Sequence, residues 1–334
     1  MSASLCSWLA RYILFAAKLI SSVPLSVMYM RSKAAWIWLM STYVLLAIAY
    51  SLKKRRFYAF IAATLASTLF ASAIIAFSYV YHRKNDSIDI LNVGQGKCIS
   101  VLTDEACVLL DCGNINTIDD AATIAAAHLY SRGRYKVDVL MLSHLHEDHA
   151  GAAVRLMEMI DIGTLIIPGE YDDEDKLFAD IEECAIRNGT EIITITENCE
   201  VHVGDIEMHL IKSGFGSDEN ERCIITRLES NGFTLLAMAD ASRKMEQKLV
   251  QEYELEDVDA LVVSHHGSKY SSTDSLLEEI EGRIAIISVG QNYFGHPAQE
   301  TLEALEAYGY NVYRTDINGN IEIKTGNNYG KKSW

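Results

Sequence analysis

One stretch of nine residues, 143–151, concentrates side chains that could do chemistry. It reads Ser-His-Leu-His-Glu-Asp-His-Ala-Gly, so three imidazoles and the Asp148 carboxylate fall within six positions. Neutral imidazole nitrogen and carboxylate oxygen are ligands that suit zinc, manganese or iron. The stretch therefore predicts a divalent-metal site, and a histidine-rich polar loop is the alternative interpretation.

A buried strand must position these residues. The stretch follows residues 137–142, an apolar run with the pattern of a buried strand. His144 and His146 alternate with Leu145, so both can point one way while Leu145 points into the core. Asp148 and His149 come after the chain has turned and can face the same point from another side.

Charge is divided unevenly along the 334 residues. Residues 1–84 contain ten Lys and Arg and no Asp or Glu, whereas residues 85–334 contain 45 acidic and 19 basic residues, a balance of −26. Such an acidic region repels polyanions at long range unless metal ions or a local basic patch intervene. This balance counts against unspecific binding of nucleic acid.

Three apolar segments occupy the basic part of the chain: 12–30, 34–52 and 57–81. The second and third carry no charge and are long enough to cross about 30 Å of hydrocarbon, whereas the first could lie at the membrane interface. We predict an all-α membrane region over residues 1–84, with two or three transmembrane helices in the lipid bilayer. The cationic loop 53–56 is expected to face the cytoplasm, which places residues from 86 onward outside it.

Residues 85–334 have the pattern of one α/β domain. Strand-like runs over 87–110 are followed by helical patterns at 117–131, 150–160 and 172–187. Short runs over 191–239, separated by turn residues, predict an antiparallel sheet, after which helices and strands alternate to residue 324. Six cysteines in this region show no small-domain disulfide spacing and are expected as free thiols.

Several further motifs accompany the histidine stretch. They are Gly94-Gln95-Gly96, Asp111-Cys112-Gly113, Ala239-Asp240-Ala241, His265-His266-Gly267-Ser268-Lys269 and Gly295-His296-Pro297. With His-x-His-x-Asp-His, this ordered set resembles the metallo-β-lactamase superfamily, and more narrowly the C-terminal domain of the ComEC family of DNA-uptake competence proteins, over about residues 86–326. The resemblance implies the αββα sandwich of that superfamily for residues 85–334.

The resemblance also implies roles for the site residues. Two divalent ions, Zn or Mn, would be held by His144, His146, Asp148, His149, Asp240 and His265. In that arrangement Asp240 bridges the ions, and His265 is preferred as a ligand over its neighbour His266. Asp111 is expected to support the metal-binding loop from behind the ligands.

The ligand shell of one ion is incomplete. Superfamily members usually supply a further His or Cys before the bridging Asp, whereas residues 220–223 contain no histidine and end in Cys223. A thiolate would be a strong zinc ligand, and a small buried residue on a strand is the alternative that we prefer. On that interpretation the ion at His144 and His146 binds more weakly than the other.

Two ions about 4 Å apart would lower the pKa of a bridging water and clamp the attacking and leaving oxygens of a phosphodiester. The residues expected to act in catalysis are Asp148, Lys269 and His296, with His296 as a possible acid on the leaving group or a structural loop residue. Those expected around the substrate phosphate are His266, Ser268 and Lys269. Backbone amides of 271–273 would assist them, with helix capping as the alternative.

We therefore predict a membrane-anchored, metal-dependent hydrolase of phosphodiesters, with DNA in competence as the substrate that the resemblance implies. Two alternatives stay open: a hydrolase of a small or surface phosphoester, such as a phosphocholine ester, and a non-catalytic accessory module of a DNA-uptake system. The ComEC family has a much larger multi-span channel region. Three short spans therefore favour an anchored catalytic domain over a whole transporter.

Overall fold

The structure is a computed structural model that describes residues 33–52, 55–83, 86–115, 120–169, 176–212 and 219–325, together with Arg11, Tyr12 and Leu14. The chain divides into two compact units, residues 1–77 and 78–334. Each is described by itself. The predicted boundary after residue 84 stays a prediction.

The first unit contains the apolar helix α1 (Lys33–Ser51) and most of α2 (Arg56–Arg83). The predicted segments 34–52 and 57–81 are thus helical over nearly their whole length, whereas the segment 12–30 lies outside the described residues apart from Tyr12 and Leu14. Trp38 Nε1 donates to the Ser67 carbonyl at 2.9 Å, so the two helices are in contact. Within the described residues, the stretch Arg56–Ile74 is long and apolar enough to cross a membrane, and Trp36–Ser51 is a shorter apolar helix.

Two mixed sheets lie face to face in the second unit. In the described part of the chain the strands are β1 (Ser87–Ile90), β2 (Gln95–Leu102), β3 (Cys107–Ile115), β4 (Lys136–Met141), β5 (Asp161–Pro168), β6 (Glu191–Ile195), β7 (Cys199–Val203), β8 (Ile206–Lys212), β9 (Ile224–Ser230), β10 (Phe233–Ala237), β11 (Ala260–Val262), β12 (Ile284–Ile287), β13 (Asn311–Arg314) and β14 (Ile321–Lys324). The first sheet has the order β14-β1-β2-β3-β4-β5-β6, and the second has the order β13-β12-β11-β10-β9-β8-β7.

Helices cover the outer face of each sheet. They are α3 (Ala121–Ser131), α4 (Glu147–Ala150), α5 (Ala153–Met159), α6 (Lys176–Asn188), α7 (Arg243–Glu252), α8 (Asp274–Glu279), α9 (Gln299–Ala307) and α10 (Thr315–Asn318). Leu129 and Leu156 join a hydrophobic cluster outside the first sheet, and Leu249 and Leu305 join one outside the second. The layers are therefore helix, sheet, sheet, helix, which confirms the αββα sandwich.

Alternation along the strands sorts side chains between these layers. In β3, Val108 and Leu110 point between the sheets, whereas Leu109 points to the outer helices. The two-residue period of a strand produces this division, and both faces are apolar because both are covered. The same pattern allows a near-continuous apolar run such as β4 to form a central strand.

Two local predictions were wrong. Residues 191–195 were expected in the antiparallel sheet, but β6 pairs in parallel with β5 at the edge of the first sheet, because α6 provides the crossover that a parallel pair needs. The helix predicted over 150–160 begins only at Ala153, as α5, since the Ala152 amide donates to the Cys112 carbonyl at 3.0 Å, and the separate helix α4 precedes it. Asp148 consequently lies in the first turn of α4 rather than on a loop.

Candidate metal centre

The predicted site residues lie just beyond the carboxyl ends of neighbouring strands in both sheets. β3 and β4 run parallel in the first sheet, and β10, β11 and β12 run parallel in the second. The carboxyl ends of parallel strands are a common location for ligand sites in α/β sheets. The residues that follow these five strands therefore meet at one edge of the sandwich.

Asp240 lies at the centre of this group. It is 3% exposed, and its Oδ1 is 3.0 Å from His149 Nε2. Its Oδ2 is 3.7 Å from His265 Nε2 and 3.9 Å from His144 Nε2. His146 lies one step further out, with its Nδ1 3.1 Å from His144 Nε2. One carboxylate thus faces imidazoles from two separate loops.

Asp148 lies against the second of the two adjacent histidines. Its Oδ2 is 3.2 Å from His266 Nε2, and His266 Nδ1 is 2.7 Å from the Ser288 carbonyl oxygen. That oxygen can only accept a hydrogen bond, so Nδ1 carries a proton and Nε2 is the nitrogen that faces Asp148. The His266 side chain is 1% exposed, compared with 37% for His265.

Three groups of ligand atoms in the described part of the chain have the dimensions of a metal site; one, Glu200, Glu207 and His209, lies on β7 and β8, and the other two lie here. Of these two, one is His144, His149 and Asp240, and the other is Asp148, His149 and His266, with all ligand atoms of each group within 4.8 Å of one another. His149 is common to both. The structure thus brings the residues of the His-x-His-x-Asp-His stretch together with Asp240, and it places His266 rather than the preferred His265 in a metal-sized group.

The donor set fits a divalent cation. His149 Nε2 and Asp240 Oδ1 are buried and have no hydrogen-bond partner among the described residues. Buried polar atoms are nearly always satisfied, so this pair indicates a position where a positive charge belongs. Burial disfavours the imidazolium of His149, yet attraction from Asp240 and Asp111 raises its pKa to about 10. A bound metal ion would take the place of that proton.

The other candidate ligands have the protonation states that metal binding requires. Burial, and then the neighbouring His149, hold the pKa of His144 well below its ordinary value, so this imidazole is neutral at neutral pH. Burial opposes ionisation of Asp240, but the charges of His149 and His144 hold the pKa of Asp240 well below its usual range. The pKa of Asp148 is likewise lowered against burial, chiefly by the hydrogen bond from His266.

Asp111 lies behind the ligands. Its carboxylate accepts hydrogen bonds from the Ser143 amide at 2.7 Å and the Ser143 hydroxyl at 2.9 Å, and it lies 2.8 Å from His149 Nδ1. These bonds fix the start of the histidine stretch and orient the His149 ring. The neighbouring Gly113 allows α4 to approach β3, because a Cβ there would be 2.5 Å from the His149 backbone nitrogen.

Left-handed backbone conformations cluster around the site. The non-glycine residues concerned are Asp111, Ala239, His265 and His266, with φ between 49° and 61°. Such conformations are costly and tend to occur at functional sites. The Ala239 carbonyl accepts from the His265 amide at 2.9 Å and from Lys97 Nζ at 3.2 Å, which ties these segments together.

Lys97 is a residue that sequence reasoning missed. It is 2% exposed and lies in β2, directly after the Gly94-Gln95-Gly96 motif. Lysine is almost never fully buried without a specific partner. A single lysine within an otherwise uncharged strand was the signal that could have found it.

The predicted phosphate-binding residues are only partly available. Lys269 is exposed, with Nζ 5.1 Å from the centre of the Tyr270 ring, whereas Ser268 is 4% exposed. The amides of Ser272 and Thr273 each donate to the buried Glu246 carboxylate at 2.7 Å. The expectation that these two amides are free for a phosphate is therefore wrong.

His296 lies on the open side of the site. Its ring centre is 5.4 Å from that of His265. Burial, and then the charge of His265, lower its pKa below the ordinary value of 6.5. His296 is therefore mainly neutral at neutral pH.

Cys223 lies close to the histidine stretch without joining a ligand group. The Ile224 amide donates to the Ser143 carbonyl at 2.9 Å, so the segment abuts the site. Cys223 itself is fully buried in the hydrophobic cluster outside the second sheet, with Ile211 and Leu236. In the described residues, neither group of candidate ligand atoms includes its sulfur.

The chain is similar in sequence to proteins from several bacteria. The chain is 25% identical to ComE operon protein 3 of Bacillus subtilis over 77% of its own length and 35% of that protein. It is 26% identical to competence protein ComA of Neisseria gonorrhoeae over 72% of its length and 32% of that protein. The chain thus spans about a third of the length of these curated relatives.

Among solved structures, the metallo-β-lactamase fold protein YhfI from Bacillus subtilis is similar, with a TM-score of 0.47 and 14% identity, covering 72% of this chain and 98% of that one. CmlA, a diiron β-hydroxylase from Streptomyces venezuelae, has a TM-score of 0.49 and 12% identity, covering 72% and 54%. The sequence model of the metallo-β-lactamase superfamily matches residues 91–291, which is more than half of the chain. The chain belongs to the metallo-β-lactamase superfamily.

Proposed function

We propose that the chain is a membrane-anchored, divalent-metal-dependent hydrolase of phosphodiesters that acts on DNA during uptake. The observation that carries this proposal is the buried Asp240 carboxylate, which faces imidazoles from both sheets and has an unsatisfied oxygen 3.0 Å from His149 Nε2. The competence proteins among its relatives support DNA uptake as the setting.

Ligand roles follow from the two groups. His144 and Asp240 would hold one ion with His149, and Asp148 and His266 would hold a second. His149 cannot give its single free nitrogen to both ions at once, so one shell is short of a ligand. His146 beside His144, and His265 beside Asp240, are the residues that could complete it. This arrangement supports two ions of unequal affinity.

A bound divalent ion would activate water as a nucleophile and stabilise charge on the phosphate oxygens. The protein residues would keep that position fixed. Asp111 orients His149, Ser288 orients His266, and the Ala239 carbonyl anchors the backbone of His265. Lys269, exposed at the edge of the site, would attract the substrate phosphate as a mobile point charge.

Membrane anchoring rests on the two helices of the first unit. Large apolar side chains on both helices are exposed, among them Trp36 at 61% and Leu69 at 71%. A helix that presents apolar side chains on its exposed surface is suited to lipid rather than water. The four basic residues of the loop 53–56 fit a cytoplasmic membrane surface, with the hydrolase domain on the opposite side.

The test is a hydrolysis assay on the purified full chain in detergent, loaded with Mn²⁺ or Zn²⁺. Single-stranded DNA and a small bis-phosphodiester are offered separately, and a chelator serves as the control. We expect chelator-sensitive cleavage of both. Lack of cleavage with either metal would overturn the proposed function and favour an accessory module.

A second candidate function is hydrolysis of a small or surface phosphoester, such as a phosphocholine ester. The balance of −26 over residues 85–334 favours it, because a polyanion is repelled more strongly than a small substrate. Cleavage of a phosphocholine ester together with inert DNA would establish this alternative.

A further inference from the structure

The loop that carries His296 presents two aromatic side chains to solvent. Tyr293 is 91% exposed and Phe294 is 60% exposed. Asn292 braces this loop: its Nδ2 donates to the Gly290 and His296 carbonyls at 2.9 and 2.8 Å, and its Oδ1 accepts from the Phe294 and His296 amides at 3.0 and 3.1 Å. The backbone is therefore fixed while its two largest side chains remain exposed.

A line of rings leads from this loop to the metal centre. The Phe294 ring centre is 5.9 Å from that of His296, which is 5.4 Å from that of His265. His265 in turn lies 3.7 Å from Asp240. The exposed aromatic surface is thus within two ring-to-ring steps of the candidate ligands.

The same loop packs against the one that carries Lys269. The Ala298 amide donates to the Gly267 carbonyl at 2.8 Å, and the Thr301 hydroxyl donates to the Ser268 carbonyl at 2.9 Å. Arg243, the first residue of α7, donates to the Lys269 carbonyl at 2.8 Å, so a second cationic residue lies against this neighbouring loop. Aromatic surface and a small basic patch therefore occur beside the same site.

We propose that Tyr293 and Phe294 form a stacking platform for an unpaired nucleobase next to the phosphodiester that is cleaved. This inference rests on the proposed function and narrows its substrate to single-stranded nucleic acid. An acidic domain gains little from contacts with the phosphate backbone, whereas stacking of a base on an aromatic ring is not opposed by net charge. Paired bases in a duplex are already stacked within the helix and cannot use the platform.

The test compares two strands that carry the same number of phosphates, one with bases and one abasic. Binding is followed by fluorescence anisotropy on the full chain in detergent with Mn²⁺, in an Asp148→Ala background so that no strand is consumed. Tyr293→Ala and Phe294→Ala should each lower affinity for the base-containing strand about fivefold to hundredfold, and leave affinity for the abasic strand unchanged.

Tyr135→Ala is the matched control. Tyr135 is a 63% exposed tyrosine whose ring stacks on Tyr130 at 5.6 Å, and it belongs to no part of the site. Its substitution should leave affinity for both strands unchanged. Equal losses on the two strands, or no loss from either loop substitution, would overturn the stacking platform.

Two further outcomes distinguish the stacking platform from the proposed hydrolase function and from a loop that faces the bilayer. If the unsubstituted chain cleaves neither substrate but keeps the contrast between base-containing and abasic strands, the proposed hydrolase fails and the platform stands. A Phe294→Trp chain in vesicles of brominated phosphatidylcholine reports what covers the loop. Quenching by the lipid without any response to single-stranded DNA would overturn the platform in favour of a loop that faces the bilayer.

Discussion

At the scale of single residues, the candidate centre depends on side chains whose charge and orientation are fixed by neighbours rather than by solvent. Asp240 and Asp148 are held ionised by histidines, and His149 is held between Asp240 and Asp111. Removing one member therefore leaves others buried without a partner. Substitutions at three residue positions test the centre.

Asp148→Ala should abolish hydrolysis of both DNA and a small diester. Asp148 lies 3.2 Å from His266 in one of the two candidate ligand groups, and its side chain is 19% exposed. The loss of a partly exposed carboxylate should change the unfolding temperature little. Steady-state turnover and thermal unfolding of the full chain check this, and retained turnover would contradict a role for Asp148 in metal-dependent catalysis.

Cys223→Ser should leave the metal affinities unchanged. Cys223 packs among apolar side chains, and its sulfur belongs to neither ligand group in the described residues. Calorimetric titration of the metal-free chain should show two unequal affinities in both the unsubstituted and the substituted protein. Two equally tight ions, or loss of one ion on substitution, would show that Cys223 is a ligand.

His296→Asn tests proton donation to the leaving group. The pKa of His296 is lowered by burial and by His265, so its acidic form is populated only below about neutral pH. If it donates a proton, kcat should fall as pH rises through that lowered pKa, and the substitution should remove this limb of the profile. An unchanged pH profile in His296→Asn would leave His296 as a structural loop residue.

At the scale of elements, a buried ionic network joins β1 to α3 and β14. Asp89 of β1 lies 3.2 Å from Arg132 and 3.4 Å from His128, and Arg132 lies 2.6 Å from Glu322 of β14. Burial opposes ionisation of Asp89, but the hydrogen bond from His128, the charge of His128 and the charge of Arg132 lower its pKa below 3.8. This network fastens the first and last strands to a covering helix.

Asp89→Asn should therefore lower the free energy of unfolding by about 3 kcal/mol, the scale of a broken buried pair. Because the folded pKa of Asp89 is lowered, its stabilisation is fully present above the unfolded pKa and is lost as pH falls through the folded value. Unfolding measured from pH 7 to pH 3 should show a weaker pH dependence in the variant. Glu158→Gln, which removes an exposed pair with Arg187, is the control and should change stability by under about 1 kcal/mol.

The strands of the second unit could be predicted from the sequence, but not all of their pairings. Apolar periodicity and turn residues located the strands around the site, because both faces of each sheet are covered and the pattern is strong. The sheet to which β6 belongs was not predicted, since pairing partners depend on the crossover helix α6 rather than on the strand itself. The orientation of His266 was also beyond local pattern, because it depends on the distant Ser288 carbonyl, and the preference for His265 as a ligand stays a prediction.

Glu246 illustrates the same limit for the predicted phosphate-binding loop. Ser272 and Thr273 have the sequence of a helix start with free amides. The helix does begin directly after them, but the two amides are not free. The acceptor comes from α7, more than twenty residues earlier in the chain. Long-range contacts of this kind cannot be derived from spacing alone.

At the scale of the whole molecule, topology in the membrane follows from charge. With the cationic loop 53–56 in the cytoplasm, we expect the hydrolase domain outside it. A reporter that is active only outside the cytoplasm, fused after Trp334, should be active. Activity of a cytoplasm-only reporter at the same position would reverse the orientation and favour an interfacial first segment.

The pairing of the first and last strands of the second unit has a consequence for how this domain can be built into longer chains. Ser87 pairs with Lys324, and the Thr325 amide donates to the Asp86 carbonyl at 3.1 Å. The polypeptide thus enters and leaves the sandwich at one point. A domain with adjoining ends can be inserted into another protein as a cassette, or have those ends joined and new ones opened at the exposed Gly204 turn, without disturbing either sheet.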